Sequence, residues 1–102
     1  MFKVLHSTAD AQAAIMTLRP GQETGEIQNE HPKAEQWLFV ISGDGQAIVG
    51  RRTLRLKERS LLLIPKREAH QIKNTSKRPM ITLNFYAPPA YTKHGEVRAD
   101  VK

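Results

Sequence analysis

The chain has 102 residues, a formal charge of +6, 39% hydrophobic residues and no cysteine. That length suits one domain around one core, and the lack of cysteine excludes a disulfide framework and any thiolate metal site. No run approaches the roughly 20 apolar residues of a membrane span, and residues 1–6 lack the apolar stretch of a signal peptide. A single cytoplasmic domain over residues 1–102 is therefore expected, with no membrane partner and its core between residues 13 and 90.

In chain order, the alanine-rich residues 9–14 are the one helix candidate. Ala14 to Leu18 is an apolar run that stops at Arg19-Pro20-Gly21. Thr24 to Glu30 alternates loosely and leads into His31-Pro32. Gln36 to Ile41 stops at Ser42-Gly43-Asp44-Gly45, and Gln46 to Val49 stops at the hairpin signal Gly50-Arg51-Arg52. Thr53 to Lys57 alternates, with Leu54 and Leu56 on one face. Leu61 to Ile64 stops at Pro65, His70 to Lys73 at Asn74, and Met80 to Tyr86 just before Pro88-Pro89. Turn residues at intervals of roughly 8–12 predict an all-β sandwich or barrel. The polar stretch from Tyr91 to Lys102 reads as an extended, mobile tail.

Alternate side chains on a strand point to opposite faces. Gln36, Leu38 and Val40 share one face of the run from Gln36 to Ile41; Trp37, Phe39 and Ile41 share the other. Both sets are apolar enough to need cover, so one face is expected inside the barrel and the other at a homodimer interface. In the last long run, Thr82, Asn84 and Tyr86 share a face. If it points inward, Asn84 and Tyr86 would line a ligand pocket. The alternate set, Ile81, Leu83 and Phe85, is more apolar and is the expected core set.

The charge concentrates around one hairpin, at Arg51, Arg52, Arg55, Lys57 and Arg59. No aromatic residues interleave with these and no nucleic-acid motif appears, so no nucleic-acid partner is expected; the charge suits attraction of a small anion. His6 and His94 lie in polar terminal segments and read as solvated or packing residues. Asn74 reads as a turn residue bonding backbone through its side chain. Arg67 reads either as an exposed turn residue or as a guard for an anionic substrate.

Asn29 and His31 share parity, and Gln36 and His70 each sit at the edge of an apolar run. A barrel that joins these runs brings His31, Gln36 and His70 together, with Asn29 as a fourth contributor. Imidazole nitrogens suit Zn, Ni and Fe, and amide oxygens suit harder divalent ions.

These two segments resemble the two motifs of the cupin superfamily. The first motif is Gly, five residues, His-x-His, three or four residues, Glu, six residues, Gly. Gly43 places Gln36 at the Glu position, His31 at the second His and Asn29 at the first. The second is Gly, five residues, Pro-x-Gly, two residues, His, three residues, Asn. Pro65, His70 and Asn74 match it in register, while Arg59 and Arg67 stand where the two glycines would be. The resemblance covers residues 21–90, and the ending Asn84-Phe85-Tyr86-Ala87-Pro88-Pro89 is similar to that of a subgroup of small stand-alone cupins.

The resemblance implies a double-stranded β-helix, or jelly-roll barrel, holding a divalent ion (Zn, Ni, Mn, Fe or Co) on His31, Gln36, His70 and Asn29. No carboxylate stands at a ligand position; Glu30 and Glu35 have the wrong parity. The two-His, one-carboxylate set of iron oxygenases is thus not reproduced. A metal on neutral donors keeps its full charge, which points to Lewis-acid chemistry of the isomerase, cyclase or lyase type on an anionic or sugar-derived small molecule. The alternatives are a non-catalytic ligand-binding cupin and a cupin dioxygenase.

Overall fold

Glycine and proline cut the chain into short runs that pair as antiparallel strands. The computed structural model describes residues 1–24 and 31–102. Its strands are β1 (Phe2–Ser7), β2 (Gln12–Leu18), β3 (Glu35–Ser42), β4 (Gly45–Val49), β5 (Arg52–Leu56), β6 (Leu61–Ile64), β7 (His70–Lys73) and β8 (Met80–Ala87). They form a five-stranded sheet in the order β1-β2-β8-β3-β6 and a three-stranded sheet in the order β5-β4-β7. This is the expected jelly-roll architecture. Residues 21–24 extend the smaller sheet along β7: Thr24 N–H donates to Ile72 O (3.0 Å) and Asn74 N–H to Gln22 O (2.9 Å). The rest of the run predicted from Thr24 to Glu30 lies outside the described residues, as does Asn29. No described helix is long and apolar enough to cross a membrane.

The two sheets face each other across an apolar core. The larger sheet contributes Leu18, Leu38, Val40, Leu62, Ile64 and Met80; the smaller contributes Ala47, Val49, Leu56 and Ile72. Full burial of a side chain of Val, Leu, Ile or Met size contributes about 1.5–3 kcal/mol, so this set dominates the stability. Two turns at its edge rest on specific residues. Gly43 sits at φ +86°, with Pro79 O only 2.6 Å from where a Cβ would lie. Asn74 is fully buried. Its Nδ2 donates to the carbonyls of Leu18 (2.9 Å) and Arg78 (2.7 Å), and its Oδ1 accepts from Ser76 N–H (2.9 Å). Asn74 therefore has the turn-holding role expected of it.

Three expectations need correction. Residues 9–14 are not helical. Thr8 Oγ1 accepts from the N–H groups of Asp10 and Ala11, turning the chain out of β1 and into β2 at Gln12. The strand β1 itself had gone unread, because its residues are mostly exposed and show no clean alternation.

The stretch from Tyr91 is not a loose tail. Tyr91 and Val101 are buried in a second apolar cluster with Ala14, Ala34, Tyr86 and Ala90, and Ala99–Val101 forms a single 3-10 turn. Gln12 fastens this segment. Its Nε2 donates to Tyr91 O (2.7 Å), while its Oε1 accepts from Tyr91 N–H (3.0 Å). Lys33 N–H donates to Val101 O (3.0 Å).

In β8 the polar set faces inward. Thr82 and Asn84 are fully buried and Tyr86 nearly so, whereas Phe85 is 42% exposed. The reason is register. Gln36 pairs with Tyr86, Leu38 with Asn84 and Val40 with Thr82, and directly opposed residues share a face.

Candidate metal centre and adjoining cavity

Parity on β3 and β8 turns Gln36, Asn84 and Thr82 into the barrel, where they form a continuous chain of hydrogen bonds that ends against His31. Asn84 Nδ2 donates to Thr82 Oγ1 (2.9 Å), and Gln36 Nε2 donates to Asn84 Oδ1 (3.0 Å). The free end of the Gln36 amide, Oε1, then lies 3.1 Å from His31 Nε2. His31, on the turn before β3, is 1% exposed, and its Nδ1 lies 3.2 Å from Ala34 O. A carbonyl only accepts, so Nδ1 carries the hydrogen, and in the neutral ring Nε2 then presents its lone pair. In this orientation two lone pairs, on His31 Nε2 and Gln36 Oε1, face each other.

His70 begins β7, and its ring centroid lies 5.1 Å from that of His31. Its Nδ1 is 3.0 Å from Glu68 O, the same backbone anchoring that His31 shows. Carbonyl-anchored imidazoles that present Nε2 are the usual arrangement of metal-ligating histidines. The structure thus brings together His31, Gln36 and His70, three of the four residues expected to ligate. No cluster of three or more His, Cys, Asp or Glu residues occurs among the described residues, so the donor set is two imidazoles and an amide. These neutral N and O donors fit a divalent ion of the Zn, Ni, Mn, Fe or Co group.

Gln36 and His70 also line a cavity of about 340 Å³. Its other walls come from Met1 and Phe2, from Met16 and Leu18 on β2, from Ile72, and from Tyr86 and Tyr91. The tyrosine rings pack edge to face with centroids 5.0 Å apart, and Phe2 lies 4.7 Å from Tyr91.

A family model described as the cupin domain matches residues 14–86. The chain belongs to the cupin family. This cupin is 35% identical over 69 residues to the xanthan biosynthesis protein XanB of Xanthomonas campestris pv. campestris. That match covers 68% of the chain but only 14% of XanB. Among solved structures, BH2720 of Bacillus halodurans superposes with a TM-score of 0.82 at 30% identity, over 95% of this chain and 76% of that one. An uncharacterized conserved protein of Klebsiella pneumoniae with a double-stranded β-helix domain superposes with a TM-score of 0.77 at 25% identity, over 86% and 76% of the two chains.

The cupin's two missing motif glycines have a visible consequence. Arg59 and Arg67 adopt φ +72° and +66°, so both motif positions keep the left-handed backbone that glycine would favour. Arg67 is exposed, with its backbone N–H donating to Pro32 O (3.0 Å), and it does not line the cavity. Asn84 lies behind Gln36 in the hydrogen-bond chain, and Tyr86 is in the wall. Sequence reasoning missed Phe2, Met16, Leu18, Tyr91 and Gln12. Tyr91 and Val101 were legible only as apolar residues in an otherwise polar stretch.

Proposed function

We propose that this cupin holds a divalent cation on His31, Gln36 and His70, and acts as a Lewis-acid-type enzyme on a small oxygen-bearing molecule in the adjoining cavity. One observation carries the reading. Both histidines are keyed at Nδ1 by backbone carbonyls, while His31 Nε2 and Gln36 Oε1 converge at 3.1 Å, with a lone pair on each in the neutral Nδ1–H tautomer and this amide orientation. A bound divalent ion supplies carbonyl polarisation or water activation at its full charge, since all three donors are neutral. The Gln36–Asn84–Thr82 chain aims the amide oxygen inward. Ala34 O and Glu68 O fix the imidazole tautomers. Met16, Leu18 and Ile72 keep bulk water from the cavity walls, which strengthens electrostatic interactions inside.

The test is elemental analysis of protein purified without a histidine tag, followed by melting curves with Zn, Ni, Mn, Co and Fe(II). An ion at a hundredfold excess over its Kd stabilises by about 2.7 kcal/mol, a rise of roughly 10 °C or more for a domain of this size. Protein free of metal that shows no shift with any of these ions would sink the proposal. His31→Ala combined with His70→Ala is expected to abolish the shift.

We also propose that two copies pair through the outer face of the larger sheet. Trp37, Phe39, Leu61, Leu63, Ile81, Leu83 and Phe85 form a registered apolar surface there, with Ile41 at the bulge beside it, and Trp37, Ile41, Leu61 and Phe85 are well exposed. In a chain of net charge +6 the centre of this face carries no charged residue, which suits an identical apolar face and not a charged partner.

A further inference from the structure

We infer that the ligand of the cavity is a compact molecule with an apolar, ring-sized body and a single oxygen headgroup, such as an aryl or branched-alkyl carboxylate, and not a polyhydroxylated sugar. The inference rests on the metal centre proposed above, which would receive the headgroup. The cavity of about 340 Å³ lies at the small end of the roughly 300–1,000 Å³ range of ligand pockets. Its body is apolar and aromatic, built from Phe2, Met16, Leu18, Ile72, Tyr86 and Tyr91.

Two of the acceptor oxygens in the wall are already engaged. Gln22 Oε1 accepts from Arg19 N–H (2.9 Å), and Thr24 Oγ1 accepts from Ile72 N–H (3.0 Å). Gln36 and His70 are the lining residues that also belong to the proposed metal centre, so the polar head is placed there. A sugar hydroxyl pressed against Met16 or Leu18 without a partner costs about 1–3 kcal/mol, and a hexose would carry several.

Charge limits the headgroup further. No lysine or arginine side chain is among the described lining residues; the Met1 ammonium is already donating to Thr17 O (2.9 Å), and Glu23, which is exposed, brings a negative charge. A single anionic head finds its countercharge at the metal centre. Among the described wall residues a second carboxylate would find no lysine or arginine and would meet the Glu23 charge.

The experiment is calorimetric titration of Zn-loaded protein with 3-phenylpropionate, 4-methylpentanoate, galacturonate and citrate. The first two are expected to bind at least tenfold tighter than the last two. Met16→Gln and, separately, Phe2→Ala should each narrow that preference at least fivefold. Galacturonate or citrate binding as tightly as 3-phenylpropionate to Zn-loaded protein overturns the inference and leaves the metal centre standing. No binding by either apolar acid overturns it too, as does a preference unchanged in both variants. If the protein takes up no zinc yet keeps the apolar preference, the metal centre fails and the cavity's selectivity stands.

Discussion

Two buried amides decide what His31 faces. With Gln36 Nε2 donating to Asn84 and Asn84 Nδ2 donating to Thr82, Gln36 Oε1 meets the His31 lone pair, an arrangement completed by a cation. The same groups also support the reverse polarity. Thr82 O–H then donates to Asn84 Oδ1, Asn84 Nδ2 to Gln36 Oε1, and Gln36 Nε2 to His31 Nε2. The reversed chain satisfies every member without a cation. An acceptor-only side chain at position 84 removes that choice. Asn84→Asp should therefore raise divalent-metal affinity at least tenfold while lowering the melting temperature of the metal-free protein, because the new buried charge then lacks its partner. Asn84→Leu should lower affinity. Gln36→Glu, which restores the family's acidic donor, should raise affinity more than Asn84→Asp does. Metal titrations followed by calorimetry check all three. At a distance from this site, Asn74→Ala strands the carbonyls and N–H groups that Asn74 bonds, and should cost about 2–3 kcal/mol in urea unfolding.

For the strands, the choice of face carries the lesson about what was legible. His31, Gln36 and His70 could be found because motif spacing and strand parity agree. The inward placement of Asn84 was also within reach. Once Gln36, Leu38 and Val40 point inward, a paired β8 in this register has no freedom. Reading β8 alone pointed to Ile81, Leu83 and Phe85 as core, because burial is normally the better home for apolar residues. Here those residues join Trp37 and Phe39 on the outer face. With apolar side chains on both faces of the sheet, hydrophobicity no longer identifies the inner side. Trp37→Lys together with Phe85→Lys should give a folded monomer, where the parent chain elutes as a dimer in size exclusion with light scattering at micromolar concentration. A parent that is already monomeric would refute the pairing. In the connection between β3 and β4, Gly43→Ala should destabilise by more than about 1 kcal/mol by thermal melting, since both φ and the approach of Pro79 oppose a Cβ.

At the scale of the whole molecule, the barrel is completed from both ends of the sequence. Met1 and Phe2 meet Tyr91 and Gly95 at the cavity, and Gln12 ties Ala90 and Tyr91 to β2. Such closure could not be read from composition, because three hydrogen bonds with Gln12, one from Lys33 and the buried Tyr91 and Val101 hold a segment that is otherwise polar. Gln12→Ala should lower stability by about 2 kcal/mol and speed proteolysis after residue 91, checked by limited digestion with and without ligand.

This closure also sorts the chain's chromophores. The single tryptophan, Trp37, stands on the outer face with its indole N–H donating to Glu35. Both tyrosines, Tyr86 and Tyr91, stand in the cavity wall. Tryptophan emission therefore reports what meets the outer sheet, and tyrosine absorbance reports what enters the barrel. One unlabelled sample carries separate optical channels for the proposed pairing face and for the cavity.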